Sequence, residues 1–147
     1  MIPLSFIPFQ PEHLEGLRLQ RAQRHLKPLL AIPEYGRQLV TPYSWTGVAN
    51  GAVVGCAGLL PQWPGRAIAW ALLTPQLDAR QFLRAHLRVR RVIETAQRDG
   101  MRRIEASVDA AFDAGHRWAL ALDFAPEGLM RRFSPEGRDH LLYARIS

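Results

Sequence analysis

The stretch AIAWALLTPQLDARQFLRAHLRVRRVIETAQRDGMRRIEASVDAAFDAGHRWALALDF, Ala67–Phe124, decides the fold. Its apolar opening, Ala67–Leu73, has the length of a strand. From about Ala79 to Asp99, residues Phe82, Ala85, Val89, Val92, Ile93 and Ala96 recur at the 3.6-residue helical period, which gives the helix one stripe to lay on a sheet. Arg80, Arg84, Arg91 and Arg98 fall on the opposite face. Gly100 stops the helix, and Arg98 complements the negative end of its dipole. Arg103–Val108 alternates polar and apolar residues as a second strand. Asp109 is a reasonable N-cap for a second helix over about Ala110–Leu122, with Ala111, Gly115, Trp118 and Leu122 on one face. Two strands joined through a helix must run parallel, and the mouth of such a βαβ unit is where α/β proteins usually place ligands.

Working outward, Asn50-Gly51 lies between Tyr43–Ala49 and Ala52–Leu60. Both central residues of a type I′ turn need positive φ, so this pair marks a hairpin. Pro61–Gly65 makes the next turn, and Ala67–Leu73 returns antiparallel. Leu4–Phe9, punctuated by prolines, suits a short edge strand. Pro11 with Glu12 and Glu15 suits the start of a helix running to about Leu26. Residues 27–42 read as a loop with one helical turn near Leu29–Ile32. At the other end, Leu129–Phe133 and Leu141–Ile146 flank Ser134–Gly137 as a closing hairpin.

One domain spanning residues 1–147 accounts for the whole chain, which is long enough to bury roughly two thirds of its unfolded surface. No apolar run approaches the ~18 residues of a membrane span, and the N-terminus has no signal-peptide pattern; the expectation is a soluble chain that is not secreted. The single cysteine, Cys56, cannot form an internal disulfide and reads as a buried structural thiol. No Cys and His spacing suggests a metal site. The net charge is +6, and only one of the 19 basic residues, Lys27, is lysine. Such a balance suits an anionic partner, nucleic acid or a nucleotide cofactor, or else reflects an arginine-solvated surface.

The element order is strand, helix, loop, three antiparallel strands, crossover helix, parallel strand, helix and closing hairpin. It resembles the GNAT acetyltransferase fold, an α/β (α+β) architecture with a mixed, mostly antiparallel twisted sheet, a central βαβ unit and helices on both faces. Gly100 followed by Arg102-Arg103-Ile104-Glu105-Ala106 is similar to the family's fifth strand. His116–Phe124 is similar to its fourth helix, with Asp123 in place of the usual glycine. More narrowly, Ala69-Trp70-Ala71, His116-Arg117-Trp118, Met130-Arg131-Arg132 and Pro135–His140 with Leu142–Arg145 resemble the GNAT-like proteins of tailed phages, including the internal virion protein A family.

The resemblance implies a glycine-rich loop for the coenzyme A pyrophosphate at the start of the long helix. This chain has Thr74-Pro75-Gln76-Leu77-Asp78-Ala79-Arg80-Gln81-Phe82 there, with no glycine between Gly65 and Gly100. Asp78 as helix cap would occupy the amides and repel a diphosphate, leaving Arg80, Gln81 and Arg84 to reach phosphates through side chains. The backbone around Leu72, Leu73 and Thr74 is implied to pair with the pantetheine arm where the fourth and fifth strands splay. The tyrosine that the family often uses as general acid falls on Ala119. Glu105 and His116 remain as weak catalytic candidates. Glu105 also reads as an ion-pair partner of a neighbouring arginine, and His116 as a hydrogen-bonded, partly buried side chain.

Leu83 and Leu87 lie off the sheet-facing stripe among Arg80, Arg84 and Arg91, a composition compatible with a protein interface. Three functions follow as expectations. The leading one is a phage virion or assembly protein, in the virion or the bacterial host cytoplasm, that uses a degenerate GNAT-like fold as a scaffold for other phage structural proteins. The second is an acetyl-CoA-dependent N-acetyltransferase with an atypical pyrophosphate loop. The third is a basic nucleic-acid-associated protein.

Overall fold

The computed structural model describes residues 3–147. Seven strands form one sheet: β1 (Ser5–Pro8), β2 (Trp45–Ala49), β3 (Ala52–Trp63), β4 (Arg66–Leu73), β5 (Arg103–Asp109), β6 (Ala125–Met130) and β7 (His140–Ile146), in the order β1-β2-β3-β4-β5-β7-β6. Every neighbouring pair is antiparallel except β4 and β5. Four helices accompany it: α1 (Lys27–Leu30), α2 (Pro33–Gln38), α3 (Ala79–Arg98) and α4 (Asp113–Ala121).

Alternation along β4 assigns the two faces. Ala67 packs with Ile93 and Ala96 of α3, Ile104 of β5 and Ala119 of α4. Leu72 and Trp70 pack on the other face with Phe9, Leu14, Leu19 and Leu39. A period of two thus covers the sheet with helices on both sides. Cys56 is fully buried, and burial pushes its thiol up to about 11, which leaves it un-ionised and inert.

The local signals explain the turns. Asn50 and Gly51 both have positive φ, 53° and 75°, as the hairpin between β2 and β3 requires. At the end of α3, Gly100 takes φ 106°, while Met101 N–H donates to Ala96 O and Gly100 N–H to Gln97 O. That is a Schellman closure. The end of α4 repeats it, Phe124 N–H donating to Ala119 O and Asp123 N–H to Leu120 O, with Asp123 in the left-handed region at φ 65°. The residue standing in the glycine position therefore adopts the glycine's conformation, which Asp tolerates better than most residues.

Four expectations need correction. The helix over Pro11–Leu26 is instead a 3₁₀ turn at Pro11–Leu14 and a second at Arg21–Leu26. Gly16 separates them at φ 73°, a conformation no right-handed helix accommodates. The loop expected to hold one helical turn near Leu29–Ile32 holds two short helices, α1 close to that turn and α2 after it. Phe82 leaves the sheet-facing stripe of α3 and packs on Trp118, ring centroids 5.4 Å apart, because α4 rather than the sheet lies beside it. The closing hairpin is longer, with β6 beginning at Ala125 and the loop running over residues 131–139.

Candidate active site

β4 and β5 are joined through only three residue pairs, Arg66–Arg103, Ala67–Ile104 and Ile68–Glu105. Beyond Ile68 and Glu105 the strands diverge and, with the elements above and below, enclose a cleft of about 590 Å³. Phe82 of α3, Phe112 and Trp118 wall its helical side. Gln23, His25 and Tyr35 come from the N-terminal segment, and Phe133 and His140 from the β6–β7 region.

An ion-pair network pins the closed end of the splay. Glu105 accepts from Arg66 Nε at 2.6 Å and Nη2 at 2.9 Å, and from Arg103 Nε at 2.7 Å. Arg103 also binds the Glu127 carboxylate on β6. The hydrogen bonds from Arg66, reinforced by Arg103, outweigh the cost of desolvation and hold the Glu105 carboxyl down to about 2. A carboxylate so held is a poor proton acceptor near neutrality. Its geometry is that of a clamp across the last rungs of β4 and β5, and it does not line the cleft.

His116 lies on α4 behind the cleft. Its Nε2 sits 3.1 Å from Ala110 O and its Nδ1 2.7 Å from Tyr143 Oη. Since a carbonyl only accepts, neutral His116 carries its proton on Nε2 and accepts the tyrosine hydroxyl at Nδ1. Both nitrogens are thus engaged. Ala119 is buried and offers no proton donor.

Asp109 does not cap the following helix, whose first residue is Asp113. It accepts from Ala111 N–H at 2.9 Å and is gripped by the forked guanidinium of Arg138, which outcompetes a helix amide as a partner. Arg138 first, then the Ala111 amide, hold its carboxyl down to about 2.

At the start of α3, Asp78 is the cap the sequence suggests. Gln81 N–H donates to its Oδ1 at 2.8 Å, and Gln81 Oε1 accepts from Asp78 N–H at 3.1 Å, a reciprocal capping box. Beside it lies a second hollow bordered by Thr74, Gln81 and Arg18. Thr74 is buried and gives its N–H to Val54 O. Leu72 and Leu73 line the main cleft.

On the outer side of α3, Leu83 and Leu87 are 54% and 51% exposed, beside exposed Arg80 and Arg91. Arg84 turns toward β1 and places its guanidinium 5.8 Å from the Phe6 ring centroid, with Arg88 beside it at 5.2 Å. Among the described residues no helix is long and apolar enough to cross a membrane, and no group of His, Cys, Asp and Glu is placed to hold a metal ion.

Sequence reasoning missed three cleft residues: Gln23, Trp70 and His140. Gln23 Nε2 donates to Ala71 O on β4 at 2.8 Å, inside the splay. Trp70 and His140 lie within short stretches that carry only the phage resemblance, and Gln23 lies in none; the three meet through the tertiary fold, so no local pattern marks them as site residues.

No protein-family model and no curated protein sequence matches the chain. Solved structures do match over nearly its full length. Ard1 from Thermoplasma volcanium superposes with a TM-score of 0.76 at 14% identity, covering 97% of each chain. A ribosomal-protein-alanine N-acetyltransferase from Brucella melitensis gives 0.74 at 14% identity, covering 97% of this chain and 99% of that one. An N-acetyltransferase from Staphylococcus aureus gives 0.71 at 14% identity, covering 98% of each. These neighbours correct the leading expectation of a phage virion or assembly scaffold: they are acetyltransferases, and the narrower resemblance to phage internal virion proteins finds no support among them. The splayed parallel pair, the flanking helices and these superpositions together give the chain the GNAT acetyltransferase fold.

Proposed function

We propose that the chain is an acyl-CoA-dependent N-acyltransferase, with acetyl-CoA as the acyl donor. The observation that carries this reading is the parting of β4 from β5 after Ile68, which leaves the β4 edge over Ala69–Leu73 facing a cleft instead of a strand. An extended amide chain such as a pantetheine arm can add along such an edge through backbone hydrogen bonds. Leu72 and Leu73 then line the arm. The absent tyrosine is tolerable, because an alkyl thiol of pKa ~8.5 is an adequate leaving group near neutral pH without a dedicated acid.

The diphosphate end departs from what the fold usually offers. Asp78 already takes the Gln81 amide, so the α3 N-terminus presents a carboxylate where an anion would bind. Arg80 and Gln81 in the first turn of α3, with Arg84 one turn on, supply the phosphate contacts through side chains. Replacing Asp78 by Asn keeps an oxygen for the Gln81 amide while removing the charge. Stability should stay within about 0.5 kcal/mol, since Asn and Asp cap equally well, and acetyl-CoA should bind roughly 2- to 5-fold tighter, the worth of one exposed charge at a helix terminus. Calorimetric titration of both proteins checks this.

The activity itself is tested by incubating the protein with acetyl-CoA and a panel of primary amines, following thiol release and the acetylated amine by mass spectrometry. Amine-dependent release supports the reading. Release at the rate of the protein-free control with every amine rejects it.

A further inference from the structure

Among the described residues, the buried side-chain polar atoms without a hydrogen-bond partner are Gln23 Oε1, Trp70 Nε1, Arg88 Nε and both ring nitrogens of His140. Three of these four residues, Gln23, Trp70 and His140, line the cleft. Buried polar groups are almost always paired with protein, water or ligand, so three unpaired ones on the wall of one cavity mark a place that water fills when the protein is free and a polar ligand can take over. All three sit on the side of the sheet away from α3 or at its margin. Trp70 packs against Phe9 at 5.2 Å, Gln23 reaches β4 from the N-terminal segment, and His140 lies 6.4 Å from the His25 ring.

We propose that this half of the cleft is the acceptor site, that His140 is the general base, and that Gln23 Oε1 and Trp70 Nε1–H orient an acceptor bearing an α-amine beside an amide, such as the N-terminal residue of a peptide. The proposal rests on the acyltransferase reading above. Its chemistry follows from what the three groups offer. An aminoacyl amide carries an amine for the imidazole, a carbonyl to accept from Trp70, and an amide N–H to donate to Gln23. In the reaction the amine nitrogen bonds to the thioester carbonyl carbon and the C–S bond breaks. The amine proton passes to His140 and on to solvent, and the departing thiolate takes a proton from solvent.

The charge around the site selects the kind of amine. Facing His140 are Asp109 from β5, His25 from the N-terminal segment and Arg138 from the β6–β7 loop. The Asp109 carboxylate is committed to Arg138, and Glu136 lies 3.6 Å from His25. No carboxylate of the cleft is therefore left to hold an ammonium ion. Burial, helped by His25 and Arg138 against Asp109, lowers the His140 pKa below its ordinary 6.5, so the ring is a neutral acceptor at pH 7. An α-amine, with a pKa of roughly 7.7–8.0, reaches its neutral form readily there; a lysine side chain at about 10.4 does not.

The test compares an alanyl dipeptide amide with Nα-acetyl-lysine amide as acceptors, for the wild type and for His140→Gln and Gln23→Leu. For the wild type the dipeptide amide should be acetylated at least about 10-fold faster, with kcat/KM falling on an acid limb below pH 6.5. His140→Gln should lose about 100-fold or more in kcat, the usual worth of a general base, and lose that limb, with its acetyl-CoA affinity unchanged by calorimetry. Gln23→Leu should raise KM for the dipeptide amide with kcat retained. A His140→Gln rate within threefold of wild type, a preference for the lysine amine, or acetyl-CoA binding with neither amine acetylated overturns the proposal. Should His140→Gln not fold, the wild-type acid limb and the Gln23→Leu split decide it. Failure of acetyl-CoA to bind the wild type at all refutes the acyltransferase reading itself.

Discussion

An Ala114→Trp protein should fold normally and lose acetyl-CoA affinity on the order of 100-fold, about 2.7 kcal/mol. Ala114 lies in the first turns of α4, is exposed, and lines the cleft opposite the β4 edge. Ala114 is exposed, so an indole there has solvent to extend into in the free protein. The cost to the fold is therefore limited to helix propensity, at most ~0.7 kcal/mol. With the pantetheine arm along the β4 edge as proposed, the indole would occupy space the arm needs, and crowding a filled site costs about 1–3 kcal/mol. Calorimetry for affinity and a thermal melt for stability separate the two effects. Unchanged affinity would mean that the arm does not pass between β4 and α4.

The second large effect concerns Glu105. Its carboxylate ties Arg66 on β4 to Arg103 on β5 at the last paired rungs, and Arg103 carries the tie on to Glu127 of β6. Removing one partner of a fully buried pair costs about 3–5 kcal/mol. Both arginines here are partly exposed, so Glu105→Gln should cost ~2 kcal/mol, lowering the melting temperature by about 6 °C for a chain of this size. The acid response has a fixed sign. The folded-state pKa of about 2 lies below the ordinary 4.5, so the stabilisation is fully present above pH 4.5 and is lost as pH falls toward 2. Asp109, depressed from 3.8 to about 2 by Arg138, adds to the same fall. Denaturant titrations at pH 7 and pH 3 should show the wild type losing stability more steeply than Glu105→Gln. Equal losses would show that the clamp contributes nothing to stability.

The sequence read well where a local rule and the tertiary fold agree. The α3 stripe apart from Phe82, the Asn50-Gly51 turn and the glycine stop at Gly100 each carry a signal strong enough to survive packing. The N-terminal region failed because Pro11 and two glutamates imitate a helix start, while Gly16, five residues later, ends any helix before it can propagate. Asp109 was read as a cap because the local rule sees only the next helix; Arg138, 29 residues on, forms the stronger bond. In the site, the ion-paired alternative for Glu105 was legible from the flanking Arg103, whereas the contribution of Arg66 needed the parallel register. Gln23, Trp70 and His140 were illegible for a different reason: what distinguishes them is unmet hydrogen-bonding capacity, a property of the folded cavity.

The most direct test of the account is calorimetric titration of the wild-type protein with acetyl-CoA. One site per chain with a dissociation constant in the micromolar range, weakened by Ala114→Trp, is the result expected of an acyl-CoA cleft between β4 and β5. No heat of binding at millimolar acetyl-CoA would contradict it.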